Sequence, residues 1–386
     1  MSDAQAPGEA RRTNRPGGAT KRHGQTSDEL FAALDLGTNN CRLLVAAPVR
    51  DGFRVVDAYS RIVRLGEGLS QTGRLQPAAM DRALAALSVC AERIRRRGAP
   101  KLRAIATQAC RSAENGPEFL DRVARETGLR LQVISPREEA RLSVAGCVNL
   151  LDRETHAALV LDVGGGSTEL SWVDLAAKPG ERRAAEPLRV PPIRAWLSVP
   201  IGVVTLAEQF PEQRPGQQDW FRAMVEAVKA PIMAFRHADS IREVFDDGRA
   251  HLIGTSGAIT SLAGLYLGLD RYDRSRIDGL WLTRADCEIT AERLLSLGPR
   301  ERAAQPCIGP DRADLVLAGA AILQAVQEVW PCARVRVADR GLREGLLLSL
   351  MAGRGGRRKP GRRRGGNGMR ERASFETPAE QAPQDD

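Results

Sequence analysis

Asp162-Val-Gly-Gly-Gly-Ser-Thr-Glu-Leu-Ser-Trp-Val173 decides how this chain is read, because its design also occurs at Asp35-Leu-Gly-Thr-Asn-Asn-Cys-Arg-Leu-Leu-Val45. In both stretches an apolar run ends in Asp-x-Gly, a turn of small polar residues follows, and a second apolar run begins. The copies lie 127 residues apart, which predicts two similar domains. A turn rich in Gly, Ser and Thr points successive backbone N–H groups and hydroxyls into one concavity, and such a concavity attracts phosphate oxygens. The candidate contacts are Gly37, Thr38, Asn39 and Asn40 in one turn and Gly164, Gly165, Gly166, Ser167 and Thr168 in the other. A carboxylate at the mouth of such a turn repels phosphate unless a hard cation lies between them. Asp35 and Asp162 therefore predict Mg2+ or another divalent cation, held with waters and substrate oxygens. The plainer alternative is two ordinary hairpins with Asp and Gly at the turn.

Outward from these hairpins, short β-type runs alternate with helical patterns, the signature of an α/β fold. Strands are expected at Phe31–Leu34, Arg42–Ala46, Arg103–Ala106, Leu131–Ile134, Ala158–Leu161, Glu169–Val173, His251–Ile253 and Arg334–Val337. Between Asp81 and Arg97, Leu84, Leu87, Ala91 and Ile94 recur at helical spacing, and Gly98 is the natural stop.

Three further segments carry candidate chemistry. His251-Leu-Ile-Gly-Thr-Ser-Gly257 followed by an apolar run reads as strand, turn and helix, and a helix N-terminus reached through Ser256 and Gly257 suits an anion. Ser135-Pro-Arg-Glu-Glu139 reads as a capping box, with Ser135 at the N-cap, Pro136 at the first helical position and Glu138 reaching back to the N-cap N–H. Glu139 then has no local partner and is free to face a cleft, where a carboxylate could deprotonate water; the alternative is a solvated helix residue. In Ala106-Thr-Gln-Ala-Cys-Arg-Ser-Ala-Glu-Asn115, Arg111 and Asn115 share a face if the turn is helical. Arg111 then either forks onto a phosphate or pairs on the surface with Glu114 or Glu118.

Composition excludes several classes. The apolar fraction of 42% is ordinary for a globular protein. No uninterrupted apolar stretch approaches the ~20 residues that span a bilayer. Residues 1–27 lack an apolar signal core, so a cytoplasmic location is expected. Seven scattered cysteines without a Cys-x-x-Cys pair read as reduced, buried, small apolar residues. The net charge of +9 suggests nucleic acid until it is located: residues 1–27 carry +3 and residues 353–386 carry +4. Both tails are expected to be disordered. The Arg-rich C-terminal one is suited at most to a weak contact with RNA or polyphosphate.

In their order, these segments resemble the exopolyphosphatase/guanosine pentaphosphatase family over about Phe31 to Met351. The match includes Asp35-x-Gly-Thr-Asn-Asn-x-Arg42, Ala106-Thr-x-Ala-x-Arg111-x-Ala-x-Asn115, Glu138-Glu-Ala-Arg141, Asp162-x-Gly-Gly-Gly-Ser-Thr-Glu169, Gly254-x-Ser-Gly257 and Gly341-Leu-Arg-Glu-Gly345. The resemblance implies the short form of the family. Its two RNase H-like domains, of the actin-like, sugar-kinase and chaperone-ATPase superfold, face each other across a cleft. The expected layout is residues 28–137 and 138–352, with the C-terminal helix free to pack back on the first domain. It further implies Glu139 as catalytic residue, Asp162 and Glu169 (with Asp35) at a metal site, and Arg42 and Arg111 on the phosphate chain. Asn40 stands where the family commonly has serine, a change that phosphate binding should survive. The implied reaction is release of orthophosphate from polyphosphate or guanosine pentaphosphate, by a protein without membrane association and with a homodimer left open. The competing readings are an ATP-dependent small-molecule kinase of the same superfold, and a non-catalytic phosphate or nucleotide sensor with an RNA-binding tail.

Overall fold

The structure, a computed structural model, describes residues 29–50, 52–176, 192–212 and 218–352. Both expected tails lie outside these residues. Eleven strands form two sheets among the described residues. The first contains β1 (Phe31–Leu36), β2 (Asn40–Val49), β3 (Gly52–Ile62), β4 (Lys101–Ala106) and β5 (Gln132–Val133), in the order β3-β2-β1-β4-β5. The second contains β6 (Ala157–Val163), β7 (Thr168–Asp174), β8 (Ile193–Val199), β9 (Ala250–Thr255), β10 (Trp281–Thr283) and β11 (Arg334–Ala338), in the order β10-β11-β9-β6-β7-β8.

Starting from β1 or from β6, the pairing is the same. An antiparallel hairpin runs to one side and parallel strands to the other, β4 and β5 in the first sheet, β9 and β11 in the second. This is the doubled RNase H-like order of the actin-like superfold, with β10 added as an antiparallel edge. All eight expected strands are present. The three that were not expected are β3, β8 and β10. β3 and β8 are half-exposed edge strands, and β10 has only three residues, so none carries a continuous apolar run.

Strand β1 is apolar almost throughout because both faces of its sheet are covered. Ala32, Leu34 and Leu36 pack with Leu84, Leu87 and Cys90 of the helix Pro77–Arg97 and with Phe119 and Val123 of Gly116–Thr127. That first helix begins with proline and stops at Gly98, whose φ of 63° suits glycine. On the opposite face, Phe31 and Ala33 meet Leu142, Leu346 and Leu347. The second sheet is covered on one side by the helices Gln218–Met233, Gly257–Tyr266, Arg284–Ser296 and Val316–Val329. On its other side lie Val144 and Cys147.

Leu142, Val144 and Cys147 belong to one helix, Pro136–Cys147, which therefore touches both sheets. It crosses the last helix, Leu342–Ala352, at backbone contact. A side-chain carbon on Gly146 would lie 1.9 Å from the Gly341 carbonyl oxygen, and one on Gly345 would lie 1.9 Å from that of Leu142. Only glycine fits either position. The crossing holds the N-terminus of Pro136–Cys147, which bears Glu139, between the sheets. All seven cysteines are buried and none forms a disulfide. No helix of the described residues is long and apolar enough to cross a membrane.

Candidate active site

The two glycine turns share one backbone design. Gly37 N–H donates to the Asn40 carbonyl at 2.8 Å, and Gly164 N–H donates to that of Ser167 at 2.9 Å. In register, Asp35 lies opposite Arg42 and Asp162 opposite Glu169. The turns also touch each other: a side-chain carbon on Gly165 would lie 3.0 Å from Asn39 N, and one on Gly166 2.9 Å from the Thr38 hydroxyl. Behind the second turn, one on Gly202 would lie 2.4 Å from the Gly165 carbonyl carbon. A side-chain carbon on Gly164 would lie 2.7 Å from the Ser167 carbonyl oxygen, so the run of three glycines is crowded by its own turn at Gly164 and by the first turn at Gly165 and Gly166.

A cavity of about 430 Å³ opens between the turns. It is lined by Asp35, Gly37, Thr38, Asn39, Asn40, Arg42, Glu139, Asp162, Gly164, Gly165, Gly166, Ser167, Glu169, Ser256 and Gly257. Two candidates stand apart from that lining. Thr168 is buried, and its hydroxyl donates to the Ile201 carbonyl at 2.7 Å, so that hydroxyl anchors the hairpin. Arg111 sits behind Glu139, donating through Nη1 to Glu139 Oε2 at 3.3 Å and to the Ile134 carbonyl at 2.7 Å.

Two local readings need correction. The helix carrying Arg111 ends at Ser112, so Arg111 and Asn115 do not share a face; Asn115 makes a pair of hydrogen bonds to the backbone of Leu75. Arg111 is no surface partner of Glu114 either, since Glu114 pairs with Arg74. The capping box is only half formed. Ser135 Oγ accepts from Glu138 N–H at 3.3 Å, but the Glu138 carboxylate is taken by Arg141 and Arg103. Those two guanidinium groups hold the Glu138 carboxyl below its usual range. The division between the two glutamates stands for this different reason: Glu138 serves arginines, and Glu139, 7% exposed, faces the cavity.

Electrostatics set the character of the cavity. Burial pushes the Asp35 carboxyl up to about 6 and Glu169 to about 7, with repulsion from Asp162 adding to each. Burial, then Glu169, also raises Glu139 well above the carboxylate range, against the pull of Arg111. Asp162 is raised by burial although Ser143 donates to it. Each of these carboxylates is costly while ionised, and a cation among them would relieve the cost.

Opposite them are guanidinium groups. Arg42, Arg312 and Arg343 line the cavity and have no ion-pair partner among the described residues. Burial, then Arg343, lowers the pKa of Arg42. Arg42 stands on β2 and Arg312 in the loop before the helix Val316–Val329, yet they converge on Gly257, where a side-chain carbon would lie 3.6 Å from Arg42 Nη2 and 3.7 Å from Arg312 Cζ. Clustered, unpaired guanidinium groups call for a polyanion. Arg312 had no motif to mark it, whereas Arg343 lies inside Gly341-Leu-Arg-Glu-Gly345 and could have been found from it.

For a divalent cation the donor set is incomplete. Among the described residues no three His, Cys, Asp or Glu side chains converge to hold a metal, and so Asp35, Asp162 and Glu169 do not form a preorganised triad. Glu169 Oε1 accepts from Ser167 at 2.7 Å and Ser198 at 2.9 Å, and Asp162 accepts from Ser143. Asp35 Oδ1, Asn39 Oδ1 and Asn40 Oδ1 are buried with no hydrogen-bond partner among the described residues. Such donors fit an ion that keeps waters and takes substrate oxygens, as Mg2+ does, better than one caged by protein alone.

Comparison with known proteins agrees with this architecture. The chain is 30% identical over 332 residues to exopolyphosphatase 2 of Mycobacterium tuberculosis, covering 83% of this chain and 98% of that one. A crystal structure of the Aquifex aeolicus Ppx/GppA family member aligns with a TM-score of 0.66 and 28% identity, over 84% of this chain and 98% of that one. That of an exopolyphosphatase from Cytophaga hutchinsonii shares the fold, with a TM-score of 0.74 and 24% identity over 84% and 98% of the two chains. The model of the Ppx/GppA phosphatase family matches residues 44–353, and the chain belongs to that family.

Proposed function

We propose that the protein releases orthophosphate from the end of inorganic polyphosphate, with Glu139 as the base. The observation that carries this reading is a buried, arginine-backed carboxylate facing a cavity whose other walls are two phosphate-type turns and three guanidinium groups without an ion-pair partner among the described residues. Water attacks the terminal phosphorus, the bridging P–O bond breaks, and Glu139 accepts the proton of the attacking water. Arg111 keeps Glu139 oriented through the 3.3 Å contact. Backbone N–H groups of the turns and the guanidinium groups of Arg42, Arg312 and Arg343 orient the chain and counter its charge. Asp35, with the side-chain amide oxygens Asn39 Oδ1 and Asn40 Oδ1, would hold Mg2+ together with the carboxylates Asp162 and Glu169. Such an ion supplies Lewis-acid neutralisation of phosphate charge.

Guanosine pentaphosphate is a second reading, favoured by one feature. Beyond the turns the cavity continues past Tyr272, Pro306, Ile308, Leu315 and Val316, walls that suit a nucleoside better than more phosphate. The deciding experiment is orthophosphate release from polyphosphate and, separately, from guanosine pentaphosphate, each with Mg2+ and with chelator. Mg2+-dependent release supports the proposal, and no release from either substrate contradicts it.

A further inference from the structure

Arg64 ties the first phosphate turn to the opposite side of the cleft. Its φ of 46° is one that L side chains rarely adopt, and its backbone is fixed at both ends. Val63 and Arg64 N–H both donate to the Asn39 carbonyl, at 2.8 and 3.1 Å, and Gly66 N–H donates to that of Thr38 at 2.9 Å. The Arg64 carbonyl accepts from Glu67 N–H at 3.1 Å and from Arg82 at 3.3 Å. The side chain then crosses to the other sheet's domain. Its two nitrogens grip both carboxylate oxygens of Asp314, at 2.8 and 2.9 Å, and Nη2 also reaches the Asp311 carbonyl at 3.1 Å.

Between Asp311 and Asp314 lies Arg312, whose guanidinium lines the cavity. The segment is held from behind as well: Arg302, with 0% exposure, donates to the Ala313 carbonyl at 3.1 Å and to that of Leu297 at 3.0 Å, and pairs with Glu212. A second crossing joins Gly68 N–H and the Ser70 hydroxyl to Glu208, at 2.8 and 2.6 Å. The Arg64–Asp314 side chains are 32% and 51% exposed, a setting in which an ion pair adds little global stability. A fork of three bonds at this place does something else: it fixes the segment bearing Arg312 relative to the turn bearing Thr38 and Asn39.

We infer that Arg64 is a positioning residue that couples the first phosphate turn to Arg312, so that the two grip the phosphate chain only when the Arg64–Asp314 bridge is made. The inference rests on the phosphohydrolase reading above for its ligand, though not for the coupling itself.

The test uses the full chain with Arg64→Ala, Arg312→Ala and the double variant, reading orthophosphate release from polyphosphate. Arg64→Ala should raise KM about tenfold with kcat changed by less than about threefold. Because Arg64 acts through Arg312, the double variant should be no worse than Arg312→Ala within about twofold. Losses that multiply would overturn the inference, as would wild-type kinetics for Arg64→Ala. Arg64→Lys, which keeps the charge and loses the fork, should recover only part of the defect. Hydrogen exchange of the ligand-free protein provides a readout independent of turnover. Arg64→Ala should speed exchange in peptides covering 311–316, and unchanged exchange there overturns the coupling. A wild type that releases no orthophosphate would refute the assigned reaction, while exchange would still decide the coupling.

Discussion

The hairpins at Asp35–Arg42 and Asp162–Glu169 have one backbone and opposite electrostatics. Both close with a glycine N–H donated to the carbonyl three residues on, and both place an aspartate at the end of the first strand. The residue facing that aspartate across the hairpin is arginine in the first and glutamate in the second. The first can meet a phosphate chain directly, whereas the second repels one unless a cation stands between. Their packing differs too. Gly37 has room, a side-chain carbon there lying 3.5 Å from the Asn40 oxygen, but at Gly164 the equivalent distance to Ser167 is 2.7 Å. A duplicated hairpin thus carries two charge patterns, an aspartate faced by an arginine on the open copy and an aspartate faced by a second carboxylate on the crowded one.

Making the copies alike should break the division, and the largest effect is expected at Arg42. Arg42→Glu leaves two acidic hairpins. Losing charge-assisted hydrogen bonds of roughly 1.5–3 kcal/mol each should lower kcat/KM for polyphosphate by about a thousandfold or more.

The next effect is on pH. Asp35 and Glu169 have folded-state pKa values of about 6 and about 7, above their ordinary 3.8 and 4.5. Between pH 4 and 7 the folded protein therefore holds protons that the unfolded chain has released, and metal-free stability should fall as pH rises through that window. The Asp35 share is about 3 kcal/mol. Thermal melts should show Mg2+ restoring stability at pH 8, and Asp35→Asn should flatten the fall.

Smaller still is the matched pair Gly164→Ala and Gly37→Ala. The first forces backbone to move and should cost about 1–3 kcal/mol in thermal unfolding, the second under about 1 kcal/mol. Last, Glu169→Gln should raise the Mg2+ concentration for half-maximal rate about tenfold, with Mg2+-saturated KM little changed.

Much of this was legible in the sequence where a rule is local. The hairpin repeat, the central strands and the stop at Gly98 all follow from neighbours in the chain. What was not legible depends on distant partners. Glu138 prefers Arg103 and Arg141 to its own N-cap, Thr168 is spent on Ile201, and Asn115 serves Leu75. Arg312 enters the cavity from a loop with no pattern of its own, and the crossing at Gly146 and Gly345 becomes visible only when two helices 200 residues apart are brought together.

The most direct measurement is the turnover of Glu139→Gln on polyphosphate with saturating Mg2+, alongside polyphosphate binding. The glutamine has the shape of the base and cannot take a proton, so kcat should fall by about 10²- to 10⁴-fold while binding persists. A variant that turns over at the wild-type rate would contradict the role of Glu139.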